Sequence, residues 1–398
     1  MTDDIRRMFD LLETEPSPEF VSGLRARLMD VTTQGATATA TATDADNEED
    51  LIMTITEERR DQSTAPDHGG RRAVRWLAAA AVAAGLVVTG VLVANRDDDN
   101  NQQPADDEFP APTALEESAS LNDSRIGQIA FADGFIWAST QGSTFLAKID
   151  PETAQIVDSL SLPDGSTSGN MTVAGDLLYV PTHGGVVIVD TTTGEMSEQR
   201  AGEGMEIGDI AVGSDATWLV RLQINGQTMT SELQKWNRDV TEMQYSVDLG
   251  DTEIGALESV GDGVYLGTGQ DGLRHYDADG NVVATIDVGY TIRMDLGPDG
   301  RLWVPDYDDG TLRAVDTATD EIVGEVELAT TSTIDVVAVN GAVFAVNWSN
   351  ARLHAVDPAT YTETVKVALP GNPLSVLVAG DTVWVAGEGF LRGYVAAG

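Results

Sequence analysis

The sequence predicts an all-β fold, a seven-bladed β-propeller, on three observations. First, four short strands recur in units of about 40 residues, the sequence mark of a propeller blade. Second, one aromatic ring sits at a fixed phase of each unit, at Trp137, Tyr179, Trp218, Tyr265, Trp303, Phe344 and Trp384, spaced 38 to 47 residues apart. Third, the strand after that ring usually ends in Asp, at Asp150, Asp190, Asp277, Asp316 and Asp357, with Asn237 in the odd unit. Asp and Asn accept backbone N–H bonds two residues on and so start tight turns, which makes "DPET", "DTTTG", "DADG", "DTAT" and "DPAT" hairpins between third and fourth strands.

The elements before the propeller are read in chain order. Residues 1–72 form a cytoplasmic tail. Ile5, Met8, Phe9 and Leu12 share a face of a helix over 3–14, by their helical spacing. Ser17 and Pro18 open a second helix over 18–29, as N-cap and first-turn residues. The stretch 32–70 reads as a disordered linker, polar and low in apolar residues. Residues 76–95, "WLAAAAVAAGLVVTGVLVAN", carry no charge. About 20 apolar residues cross a hydrocarbon layer of about 30 Å as a helix, so 73–95 is expected to be a transmembrane helix. Arg71, Arg72 and Arg75 precede it, and after Arg96 follows "DDDNN", which places the N-terminus in the cytoplasm and the C-terminal domain outside. The expected address is the cell membrane, single-pass. Residues 96–111 form a polar linker, and 112–398 the propeller.

The ring closes in a particular way. The first six units are complete, but the seventh, "LSVLVAG–DTVWVAG–FLRGYV", ends after three strands. An open blade edge exposes unpaired N–H and C=O groups. "TALEESASL" precedes the first unit just as "AQIVDSLSL" precedes the second, so Thr113–Leu121 is expected to pair with Leu391–Val395 and supply the missing strand.

The phrase "LWVPDYDDGTLRAVDTATDEIVGEVELA" at 302–329 resembles the YVTN-type repeat, and the resemblance runs over 125–398. It also extends to the related streptogramin-lyase-like propellers. It implies the architecture, and a function among protein binding, cofactor carriage, and lyase or lactonase activity. The tail loosely resembles the cytoplasmic ends of single-pass regulators of the anti-sigma type, without the zinc-binding His and Cys residues of that module.

Composition narrows the chemistry. The formal net charge is −42, and 97–398 hold 13 Lys+Arg against 49 Asp+Glu. Such a surface repels phosphate backbones, which excludes nucleic acid as a partner. The absence of Cys excludes disulfides, thiolate metal sites and a cysteine nucleophile. No phosphate loop, nucleophile elbow or zinc motif is present, so no catalytic residue and no cofactor are expected. "DYDDG" at 306–310 lacks the fifth-position ligand and distal Glu of a calcium loop, so a divalent cation is not indicated.

Geometry supplies the candidate site. In a propeller the loops from second to third strand, and from fourth strand to the next blade, share one face. Here that face carries Asp164, Glu206, Glu253, Asp271, Asp306, Asp308, Asp309 and Glu388, with Tyr290, Tyr307 and Trp348. His183 lies just after a second strand and is the one sensible general base for a lyase; His275 and His354 fall at other phases. The residues expected to bind are Asp271, Asp306, Tyr307, Asp308, Asp309, Trp348, Glu388 and His183. The sequence thus points to an anchored binding or sensing module whose ligand is a protein or small molecule outside, with a cytoplasmic protein as a second partner at 1–30. An anchored lyase or lactonase, and an anti-sigma-like transmembrane regulator, are the alternatives.

Overall fold

Seven four-stranded antiparallel sheets are formed, one from each repeat. The computed structural model describes residues 109–397 apart from 125, 141, 164–166, 201–204, 226–227 and 270–271. The expected tail helices, transmembrane helix and linkers fall outside the described residues. Among the described residues no helix is long and apolar enough to cross a membrane.

Within a blade the strands pair in sequence order, the first lining the central shaft and the fourth lying outermost. Blades 1 to 6 begin at Gln128, Thr172, Met205, Ile254, Asp295 and Thr333, and blade 7 at Pro373. The seven phased rings all lie in second strands, and none is more than 1% exposed. Six of them pack in layers between neighbouring blades. Trp384 of blade 7, for example, joins Leu377 and Leu391 against Ile129, Ile136 and Ile149 of blade 1. The core is therefore a set of interblade layers, which is why one large ring per repeat is enough to mark the fold.

The hairpin Asp residues behave as local turn chemistry requires. Asp150 Oδ1 accepts the Glu152 N–H at 2.8 Å, Asp190 the Thr192 N–H at 3.0 Å, and Asp316 the Ala318 N–H at 2.8 Å. Asp277 and Asp357 repeat the bond with Asp279 and Ala359.

The ring is closed by the strand expected to close it. Leu115–Asn122 pairs antiparallel with Phe390–Ala396, running from Leu115 opposite Ala396 to Asn122 opposite Phe390. Ala119 and Leu121 pack on the layer between blades 7 and 1. Arg392 adds Nη1 to Leu121 O at 3.1 Å and Nη2 to Asn122 Oδ1 at 2.8 Å. Before this strand, Phe109 is held under blade 6: its N–H donates to Asn340 O at 2.7 Å, and its ring meets Phe344 edge-on at 5.5 Å.

The first strands carry a recurrent irregularity. The register shifts between Ile207 and Asp209, Ile254 and Ala256, Thr333 and Asp335, and Pro373 and Ser375. A bulge re-aims the side chain that follows it. The residues at this step around the ring are Gln128, Asn170, Asp209, Ala256, Arg293, Asp335 and Ser375, and all but the alanine are polar.

Candidate functional site

The loop face collects most of the expected binding residues along three consecutive blades. Tyr307, Asp308 and Asp309 sit on the loop of blade 5, Trp348 on that of blade 6 and Glu388 on that of blade 7. Backbone bonds link the loops in relay. The Tyr307 N–H donates to Tyr290 O at 2.7 Å, Ser332 N–H to Tyr307 O at 2.6 Å, Trp348 N–H to Ser332 O at 2.9 Å, and Glu388 N–H to Asn372 O at 3.2 Å. The Tyr290 and Tyr307 rings meet edge-on at 6.1 Å. Asp308, Asp309 and Glu388 are exposed, while Tyr290, Tyr307 and Trp348 are half-buried. Burial pushes the Tyr290 and Tyr307 hydroxyls above the usual range, so both are neutral donors.

Asp306 takes a different part from its neighbours. It is 3% exposed. Its Oδ2 accepts the Gly289 N–H at 2.7 Å and pairs with Arg313 Nη1 at 2.5 Å. Its Oδ1 accepts the Asp308 N–H at 2.9 Å. Arg313 Nη2 also holds Asp309 Oδ2 at 2.7 Å. Asp306 thus shapes the loop, and Asp309 presents a partly neutralised carboxylate. A Cβ on Gly289 would lie 2.2 Å from Asp306 Oδ1, so only glycine lets that contact form. Asp164 and Asp271 lie outside the described residues.

The three histidines of the propeller each have their own carboxylate. His183 Nε2 lies 3.5 Å from Glu206 Oε1 on the loop face, both partly exposed. His275 Nδ1 meets Asp320 Oδ1 at 3.0 Å and stacks on Tyr265 at 4.3 Å. His354, wholly buried, meets Glu363 Oε1 at 2.5 Å through Nδ1. They do not converge, and among the described residues no three His, Asp or Glu side chains are arranged to hold a metal ion.

On the opposite face, formed by the strand 1–2 and 3–4 turns, a cavity of about 120 Å³ lies between blades 3 and 4. Ser214, Asp215, Trp218, Lys235, Gln244 and Asp262 line it. Lys235 Nζ lies 5.0 Å from the Trp218 ring centre and donates to Ala278 O at 2.8 Å, which ties the two blades.

The shaft holds polar groups that the sequence reading did not single out. Arg293 is 4% exposed and projects from blade 5. Its Nη2 donates to Asn170 Oδ1 on blade 2, and its Nε lies 3.7 Å from Asp335 Oδ1 on blade 6. Asp209, Glu258 and Asp295 complete the group, none more than 3% exposed. Three of the acids stitch one blade to the next. Asp209 Oδ2 accepts the Leu257 N–H at 2.7 Å, Asp295 Oδ2 the Ala338 N–H at 2.6 Å, and Asp335 Oδ2 the Val376 N–H at 2.8 Å. A cavity of about 10 Å³ beside Asn170, Thr172, Asp209 and Arg293 is about the room that one water needs. The arrangement closes the shaft. A charged residue inside an otherwise apolar first strand, as in "IGDIAVG", "IRMDLG" and "IDVVAVN", is the signal that could have found it.

No family model and no curated protein matches the chain. Solved structures do resemble it in fold. The computationally designed Ika8 protein has a TM-score of 0.54 at 12% identity, over 70% of this chain and 99% of that one. A chain of the mitotic checkpoint complex has a TM-score of 0.58 at 13% identity, over 77% and 99%. BamB from Moraxella catarrhalis has a TM-score of 0.49 at 12% identity, over 71% and 98%. At such identities the likeness concerns the fold alone.

Proposed function

We propose that this protein is a membrane-anchored, extracytoplasmic binding module whose loop face takes a basic protein or cationic ligand. One observation carries the reading: exposed carboxylates of Asp308 and Glu388 flank half-buried Tyr307 and Trp348 on adjoining, mutually hydrogen-bonded loops. Carboxylates attract a cation and fix its register, and aromatic faces add cation–π attraction of about 0.5–2 kcal/mol. The anchor rests on the uncharged stretch 76–95 with arginines before it. The resemblance to YVTN-type repeats supports an extended binding role and no particular chemistry.

The test uses the full chain in detergent micelles and a fluorescent arginine-rich peptide as probe. Asp308→Asn with Glu388→Gln should weaken binding about a hundredfold, each charge-assisted contact being worth about 1.4 kcal/mol. Asp381→Asn on the turn face should leave binding unchanged. Equal loss in both variants overturns the assignment to the loop face. A C-terminal reporter active only outside the cytoplasm checks the topology. The pairing of His183 with Glu206 keeps a lyase reading as the second one; turnover of a lactone or macrocyclic ester, abolished in His183→Ala, would replace the first.

A further inference from the structure

The shaft collects acid groups far in excess of base. Asp209 comes from blade 3, Glu258 from blade 4, Asp295 from blade 5 and Asp335 from blade 6, each at most 3% exposed. Arg293 of blade 5 is the one buried Arg or Lys among the described residues. Blades 1, 2 and 7 face the same space with Gln128, Asn170, Thr172 and Ser375, none of them titratable. Fully ionised, the group would bury three uncompensated negative charges. Desolvation makes that state prohibitive, and buried carboxyls answer by keeping their protons.

One oxygen sharpens the point. Glu258 Oε1 is buried without a hydrogen-bond partner. An ionised oxygen in that position has neither solvent nor donor, whereas a neutral carboxyl loses far less on burial. The stitches survive protonation. Asp209, Asp295 and Asp335 each accept a backbone N–H from the next blade, and a neutral carboxyl still accepts through its carbonyl oxygen. Protonation therefore removes the repulsion and leaves the interblade bonds.

We propose that the closed shaft is a proton-binding site, in which Asp209, Glu258, Asp295 and Asp335 share protons at neutral pH and release them on alkalinisation, so that closure between blades 3 and 7 responds to pH. Burial is the largest influence on all four. It carries Asp209 up to about 6, against the pull of Arg293 and the Leu257 N–H. Asp335 is carried up to about 7, against Arg293. Asp295 rises to about 8, with the charge of Asp335 adding to burial. Glu258 stands well above the usual carboxylate range, pushed further by Asp295 and Asp209. A group whose pKa is raised on folding stabilises the fold below its unfolded pKa and loses that contribution as pH rises through the folded value. Stability is thus lost as pH rises, from about pH 4, the unfolded carboxylate value, through about pH 8. The ligand of this site is the proton, and its occupancy does not depend on what the loop face binds.

The experiment takes the full chain in detergent micelles. Infrared spectra near pH 7 should contain the carbonyl band of protonated carboxyl groups, reduced in Glu258→Gln and in Asp295→Asn. The melting midpoint of the parent should fall by about 5 °C or more as pH rises through the window, a sizeable change for a domain of this length. Glu258→Gln with Asp295→Asn copies the protonated state and should lose most of that fall. A parent midpoint flat through the window, equal slopes in parent and variant, or no protonated-carboxyl band in the parent overturns the proposal. If the double variant does not fold, the parent's infrared band decides the question alone.

Discussion

Replacing Arg293 by methionine keeps most of the side-chain volume and removes the guanidinium from the shaft. Asn170 Oδ1 then loses its donor, and Asp335 Oδ1 loses the cation 3.7 Å away. Deleting one partner of a buried ion pair costs about 3–5 kcal/mol, because the other charge stays buried and uncompensated. Each kcal/mol lowers the melting midpoint by about 2–4 °C in domains of 150–250 residues, so a drop of roughly 10 °C is expected near pH 7. The acids of the shaft offer an escape: they can take up a proton in place of the guanidinium. The drop should therefore shrink below about pH 6, where Asp209, lower than Asp335 and Asp295, also gains its proton. Asp335→Asn in the Arg293→Met background should recover about 0.5–3 kcal/mol, the range for groups in contact. Calorimetry of the parent, the two single variants and the double variant at two pH values measures all of this. If Arg293→Met melts within about 2 °C of the parent at both pH values, less than 1 kcal/mol by the same scale, the guanidinium does not compensate the shaft and the reasoning fails.

Three further outcomes follow from the geometry. A chain beginning at Asp123 lacks the strand that pairs with Phe390–Ala396 and should aggregate or lose cooperative unfolding, whereas one beginning at Ala105 should not; equal melting curves would contradict the closing role. Gly289→Ala places a Cβ against Asp306 Oδ1 and should cost about 1–3 kcal/mol, weakening probe binding more than Gly380→Ala does if the loop of blade 5 belongs to the site. Acid stability should have its own limb: hydrogen bonds within their turns hold Asp190, Asp277 and Asp357 below the ordinary carboxylate value, so their contribution is present above about pH 4 and is lost as pH falls further. Asp357→Ala should flatten that acid limb and leave the alkaline one as it was.

The repeat made most of the architecture readable. A buried ring at constant phase, an Asp that starts the same hairpin five times, and a strand missing from one end are all local or periodic signals. The correspondence of third strands was readable too. His275 stands opposite Tyr265 as Lys148 stands opposite Trp137 and Lys235 opposite Trp218. His354 stands opposite Ala345 as Arg313 stands opposite Val304. What the sequence hid was direction. In "DYDDG" the acids look equivalent, yet Asp306 turns inward to Gly289 and Arg313 while Asp308 and Asp309 stay outside. Arg293 and Asp209 read as isolated charges in apolar strands. That they meet across the shaft depends on the bulge before Asp209 and on blades far apart in sequence. No periodic rule carries that information.

The acidity of the chain has two unlike locations, and salt should separate them. Asp150, Asp190, Asp277, Asp316 and Asp357 head solvated turns, and Asp308 and Glu388 stand on the loop face. Charges of that kind are screened over about 8 Å at physiological ionic strength. Their mutual repulsion is weak, and their attraction for a cationic ligand weakens as salt rises. The shaft acids are at most 3% exposed, so mobile ions screen them much less. Raising salt from about 0.1 M to about 1 M shortens the screening length from about 10 Å to about 3 Å. Binding of the arginine-rich peptide should fall steeply over that range. The loss of stability between about pH 4 and about pH 8 should keep its midpoint. A salt-induced shift of that midpoint as large as the loss of binding would mean that the titrating groups are the surface carboxylates, and would move the proton site out of the shaft.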